Sequence, residues 1–71
     1  LGKVFTWREV KKALRKAGFR FGRQGKGSHE IWVHKDDPSR QVTLAIHREG
    51  DTVKKGTLAN IERQAGMKLF K

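Results

Sequence analysis

Cysteine is absent from the chain, which excludes disulfide bridges, thiolate metal sites and thiol nucleophiles. A small domain without such staples depends on apolar packing, and its chemistry suits a reducing compartment, so the cytoplasm is the expected location. Long apolar runs are missing too. No stretch approaches the length of a membrane span or of a secretory leader, and no membrane role is expected. Acidic residues are scarce: 7 Asp and Glu stand against 17 Lys and Arg, a formal charge of +10 with neutral histidines. Such an excess repels itself in a compact fold and is usually tolerated where the partner is a polyanion. Nucleic acid is favoured over an anionic membrane, because no segment joins a basic face to a broad exposed apolar one. Phosphate-binding loops, dinucleotide glycine patterns, paired carboxylates and Ser/His/Asp sets are also missing, so kinase, glycosidase and protease chemistry finds no support.

What is present is expected to fold as a single domain, 1–71, with a thin two-layer core. Residues 6–17 read as a helix: Thr6-x-x-Glu9 forms a capping box, Phe5 and Val10 flank it as a staple, and Gly18 supplies a left-handed stop. Trp7, Val10, Leu14 and Ala17 make its apolar stripe, which assigns Trp7 to the core. From Phe19 the period changes to two, and a short strand containing Phe19 and Phe21 leads into the tight turn Gly25-Lys26-Gly27. A second strand spans 28–34, with His29, Ile31 and Val33 on one face and Glu30, Trp32 and His34 on the other. After the turn at Asp36-Asp37-Pro38-Ser39, a third strand spans 40–46 with Val42, Leu44 and Ile46 on one face. Residues 48–53 read as a loop. A second helix then runs from about Lys54 to Ala65, with Leu58, Ile61 and Ala65 inward and Gly66 as its stop. Gly56, in its first turn, is either tolerated near a helix end or needed for close approach of another backbone. Leu69 and Phe70 either pack back or fray. The order is α-β-β-β-α, an α+β two-layer sandwich: a three-stranded antiparallel sheet with both helices on one face and the other face open.

That order and its motifs resemble the HicA family of mRNA interferase toxins, whose fold is like that of double-stranded-RNA-binding domains. The similarity lies in Leu14-Arg-Lys-Ala-Gly18-Phe19, Gly27-Ser28-His29, Val42-Thr-Leu-Ala-Ile-His47, and Lys54-Lys55-Gly56-Thr57-Leu58 followed by Ile61 and Gln64-Ala65-Gly66. It covers nearly the whole chain. One departure is Ala45, where the family often has proline two residues before the closing histidine.

From the residues alone, an ordinary surface histidine is the favoured reading of His29 over a catalytic one. The resemblance, in which the histidine of the Gly-Ser-His motif is catalytic, implies that His29 is the general base or a two-way acid/base in RNA cleavage. Histidine titrates near neutrality and suits either task. Arg23 and Lys26 supply positive charge, Gly25 and Gly27 admit a phosphate, and Ser28 offers a hydrogen bond. Lys11, Lys12 and Arg15 on the first helix, and Lys54 and Lys55 opening the second, are further candidate RNA contacts or simply solvated cations. The lysine cluster that such folds place at the second helix is incomplete here. Trp32, on the face away from Ile31 and Val33, is expected to be exposed, as a base-stacking platform or an antitoxin interface. His47 is a possible second site and His34 a structural hydrogen-bonder. His29 and His34 point to opposite strand faces, so no metal is expected, and no small-molecule cofactor.

The implied function is a toxin of a type II toxin-antitoxin system: a metal-independent endoribonuclease that cuts single-stranded mRNA and is silenced by a HicB-type antitoxin. Two alternatives stay open, a non-catalytic RNA-binding module and an inactive antitoxin-binding domain. DNA reading by the second helix is disfavoured, since Gly56, Leu58 and Ile61 leave few side chains for a groove.

Overall fold

A computed structural model of the chain describes residues 4–70. Along them the order is β1 (Phe5–Thr6), α1 (Trp7–Lys16), β2 (Phe19–Gln24), β3 (His29–His34), β4 (Gln41–Ala45), β5 (Thr52–Val53) and α2 (Lys55–Ala65). The capping box starts α1: Glu9 N–H donates to Thr6 Oγ1 at 3.3 Å, and Thr6 N–H donates to Glu9 Oε1 at 2.9 Å. Two more helix-start amides, of Trp7 and Arg8, donate to the carbonyls of Asp51 and Glu49, each at 3.1 Å. Those orphan donors are therefore met by the loop that follows β4. Gly18 at φ 100° and Gly66 at φ 73° stop the two helices.

Strands β2, β3 and β4 form the antiparallel sheet in that order. Register pairs Trp32 with Phe21 and Val42, and Glu30 with Leu44, on the face that both helices cover. Trp7, Val10, Leu14, Phe19, Trp32, Val42, Leu44, Val53, Leu58, Ile61 and Ala65 share one buried cluster. The other face carries Arg20, Arg23, His29, Ile31, Val33, Gln41, Thr43 and Ala45. This overturns the expected position of Trp32, which is only 2% exposed and lies in the core. Its indole N–H donates to Glu30 Oε1 at 3.0 Å, so the one polar atom of the ring is satisfied. Ile31 and Val33 instead lie half-buried on the open face, beside Thr43, Arg23, Gln41 and Arg20.

Residues 52–53, read as loop, pair with Phe5–Thr6 in a short antiparallel ribbon that brings Val53 into the core. The tail packs back. Glu62 accepts from the amides of Leu69 at 2.6 Å and Phe70 at 2.9 Å, and the Phe70 ring meets Phe5 edge-on, centroids 5.1 Å apart. Helix α2 runs along the free edge of β4, where Gln64 Oε1 takes the outward amide of Thr43 at 2.8 Å. No close approach of another backbone explains Gly56, because a Cβ there would meet nothing within 4 Å.

Candidate functional site

The hairpin between β2 and β3 is built to hold one histidine. Gly25 N–H donates to the His29 carbonyl at 2.7 Å, and His29 N–H donates to the Lys26 carbonyl at 3.1 Å. Gln24 Nε2 braces the same turn, donating to the His29 carbonyl at 2.7 Å and the Gly27 carbonyl at 3.2 Å. Gly27 takes φ 62°, a conformation that L side chains rarely adopt. Gly25 sits in close quarters: a Cβ on it would stand 3.2 Å from His29 Cβ, tight enough to press on it, and 3.5 Å from Ile31 Cδ1, an ordinary contact. The backbone of His29 is thus fixed on both its amide and its carbonyl, while the residue itself stays exposed on the open face of the sheet.

Its neighbours on that face follow from the register. Ala45 lies directly opposite on β4, a small residue that leaves room around the imidazole. Arg23 pairs with Ile31, so it is the diagonal neighbour of His29 across the ladder, about 7–8 Å away between Cα atoms. Lys26 is exposed in the turn and Ser28 half-buried, its carbonyl accepting from Ile46 N–H at 3.2 Å. That bond carries the chain beyond β4 past the turn, so the exposed His47 lies at the same end of the sheet. Lys54 and Lys55 are exposed at the start of helix α2. Its C-terminal end is tied to the start of β4 through Gln64 with Thr43 and Arg40 with the Gly66 carbonyl. Ten residues of helix, about 15 Å, lie between Lys55 and that tie.

Two residues predicted to face RNA are used otherwise. Lys11 is drawn inward, its side chain 12% exposed between Glu49 at 2.5 Å and Glu30 at 3.6 Å, and is not a free cation for a phosphate. Its hydrogen bond and then its charge hold the Glu49 carboxyl below the ordinary 4.5. Trp32, buried, offers no surface for a base. Arg15 and Lys12 are exposed on α1, outside the hairpin; Arg15 lies over the Trp32 ring, 5.2 Å from its centroid. His34 sits at the far end of β3, where its Nδ1 accepts from Asp36 N–H at 3.1 Å. Its Nε2 therefore carries the proton and donates to the Ala17 carbonyl at 3.1 Å, a structural role. Among the described residues no group of three His, Asp or Glu side chains could hold a metal ion. Nor, among them, is any helix long and apolar enough to cross a membrane.

The family model of the HicA toxin of bacterial toxin-antitoxin systems matches residues 7–67. The chain belongs to the HicA toxin family. No curated protein matches it. A toxin of this kind is paired with an antitoxin, so the HicA chain has a protein partner as part of its biology. The HicA match runs from the first residue of α1 to just past the glycine that closes α2, and so contains the whole hairpin. It leaves out Phe5 and the Leu69–Phe70 tail that packs on it.

Proposed function

We propose that the chain is a metal-independent endoribonuclease that cuts single-stranded mRNA, with His29 as its general acid/base. The observation that carries this is the clamped turn: an exposed histidine whose backbone is fixed on both sides, with Arg23 diagonal to it and Lys26 in the same turn. The imidazole removes the proton from a ribose 2′-hydroxyl; the 2′-oxygen attacks the adjacent phosphorus and the P–O5′ bond breaks. The same ring, now protonated, or His47 at the same end of the sheet, returns a proton to the leaving 5′-oxygen. Arg23 and Lys26 neutralise the charge that gathers on phosphate, usually a large part of catalysis. Lys12, Arg15, Lys54 and Lys55 hold the flanking strand, and Ser28 adds a hydrogen bond. The substrate is met in the cytoplasm, and a HicB-type antitoxin with an acidic surface silences the toxin by covering this cationic end.

The test is purified protein and its His29→Ala variant incubated with labelled single-stranded RNA in chelator, with folding checked in parallel. The parent cuts; the folded variant does not; an RNA carrying 2′-deoxyribose at the cut position is left whole. A folded His29→Ala protein with full activity would sink the assignment. RNA retained by both proteins and cut by neither would leave a binding module of the same fold, the reading that the charge alone supports equally well.

A further inference from the structure

Among the described residues three large hydrophobic side chains stand in solvent, Val4, Phe21 and Met67, and of these only Phe21, at 52% exposure, is aromatic. Its ring stands edge-to-face with Trp32, centroids 6.3 Å apart and planes at 87°. Trp32 is buried beneath it and carries the Arg15 guanidinium on its own ring. Phe21 therefore rests on a rigid support with a cation beside it.

The next residue explains how a neighbouring cation reaches the catalytic face. Phe21 pairs with Trp32 and Arg23 with Ile31, so Gly22 is an extra, bulged residue with no partner opposite. A side chain on Gly22 would meet Val33 Cγ2 at 2.8 Å and the Ile31 carbonyl at 2.9 Å, so the bulge needs glycine. Strict alternation would put residues 21 and 23 on one face. The bulge separates them: Phe21 stays on the helix side and Arg23 turns to the face of His29. Both sit on β2, an edge strand that ends in the histidine turn. About 10 Å of strand separates Phe21 from Gln24, which braces that turn.

An exposed ring on an edge strand, with Arg15 on the Trp32 ring beneath it and Arg23 on the other face of the same strand, in a chain of charge +10, has the composition of a nucleobase platform. A protein partner would need a contiguous apolar patch, whereas Trp32, the ring that Phe21 stands on, is itself buried and topped by the Arg15 guanidinium. We propose that Phe21 stacks against a base of the single-stranded RNA as it passes along β2, with Arg15 and Arg23 on the flanking phosphates. This rests on the RNA-cleaving role above and assigns the substrate its path.

The test reads binding alone, in a His29→Ala background that holds RNA without cutting it. The probes are a labelled oligouridylate and an abasic strand of equal length, and thermal unfolding confirms the fold of each variant. Phe21→Leu keeps apolar cover over Trp32 but removes the π-face. It should weaken oligouridylate binding about tenfold and leave the abasic strand unaffected. Phe21→Trp should bind oligouridylate at least as tightly as the parent. Equal oligouridylate affinities with and without the Phe21→Leu change, or equal losses on both probes, overturn the stacking role while leaving His29 as the catalytic candidate. Normal RNA binding with lost antitoxin binding also overturns it and makes Phe21 a protein contact. No RNA binding by the His29→Ala protein itself overturns the RNA role and the stacking role together.

Discussion

The two glycines of the histidine turn are there for different reasons, and substitution separates them. Gly27 sits at φ 62° with nothing within 4 Å of an added Cβ, so Gly27→Ala meets no neighbour and suffers only left-handed strain. It should cost about 1–2 kcal/mol in thermal or denaturant unfolding. Gly25→Ala keeps an accessible backbone but presses on His29 Cβ and its carbonyl, at 3.2 and 3.3 Å. Its loss should appear mainly in the rate of RNA cleavage; a full-rate, normally stable Gly25→Ala protein would show that the turn tolerates a displaced imidazole. These residues were legible in the sequence because a turn is local, and Gly25, Gly27 and His29 lie within five positions of one another. Lys11 and Trp32 were not. The partner that takes Lys11 out of solvent, Glu49, is 38 residues away. The side to which Trp32 faces is decided by pairing with Val42, and a strand's two faces cannot be assigned until its register is known.

At the level of elements, the long periodic segments were readable and the short ones were not. Helices α1 and α2 and strands β3 and β4 fall within a residue or so of the spans expected from capping and alternation, whereas β1 and β5 are two residues each and carry no period. The packing of the tail depends on Glu62, whose carboxyl is held below 4.5 by the amides of Phe70 and Leu69. A lowered folded-state value means that the anchor is fully present above the ordinary value and is lost as pH falls through the folded one. Protection of the Leu69 and Phe70 amides, taken as exchange relative to the free-chain rate at each pH, should therefore fall as pH drops below about 4.5, and Glu62→Gln should remove most of that fall. Gly56 makes the opposite prediction for α2. With open space around its Cβ position and helical backbone, Gly56→Ala should raise stability by about 0.5–1 kcal/mol. A higher melting temperature with unchanged RNA affinity would mean that glycine there serves neither packing nor substrate.

Across the whole molecule, the +10 charge is sorted rather than spread. Lys11 is neutralised between Glu30 and Glu49, and Arg20 is turned onto the carbonyls of Phe19 and Arg15 at 2.8 and 3.1 Å. Arg23 and Lys26 are exposed at the end of the sheet where His29 stands, and Lys54 and Lys55 are exposed at the start of α2. Affinity for a single strand should therefore fall with salt by an amount set by these cations and not by the total. Each phosphate contact on a single strand contributes about 0.7 to the slope of log affinity against log salt. If both α2 lysines touch phosphate, Lys54→Gln with Lys55→Gln should shallow that slope by about 1.4. Lys11→Gln should leave the slope alone and instead lower the unfolding temperature, because it strands Glu30, whose side chain is 20% exposed, beside Trp32. Titrations of labelled RNA at several salt concentrations, on the His29→Ala protein and these two variants built into it, separate the cases. A slope that responds to Lys11 as strongly as to Lys54 and Lys55 would mean that RNA pulls Lys11 out of its ion pairs, and that the charge sorting seen in the free protein does not survive binding.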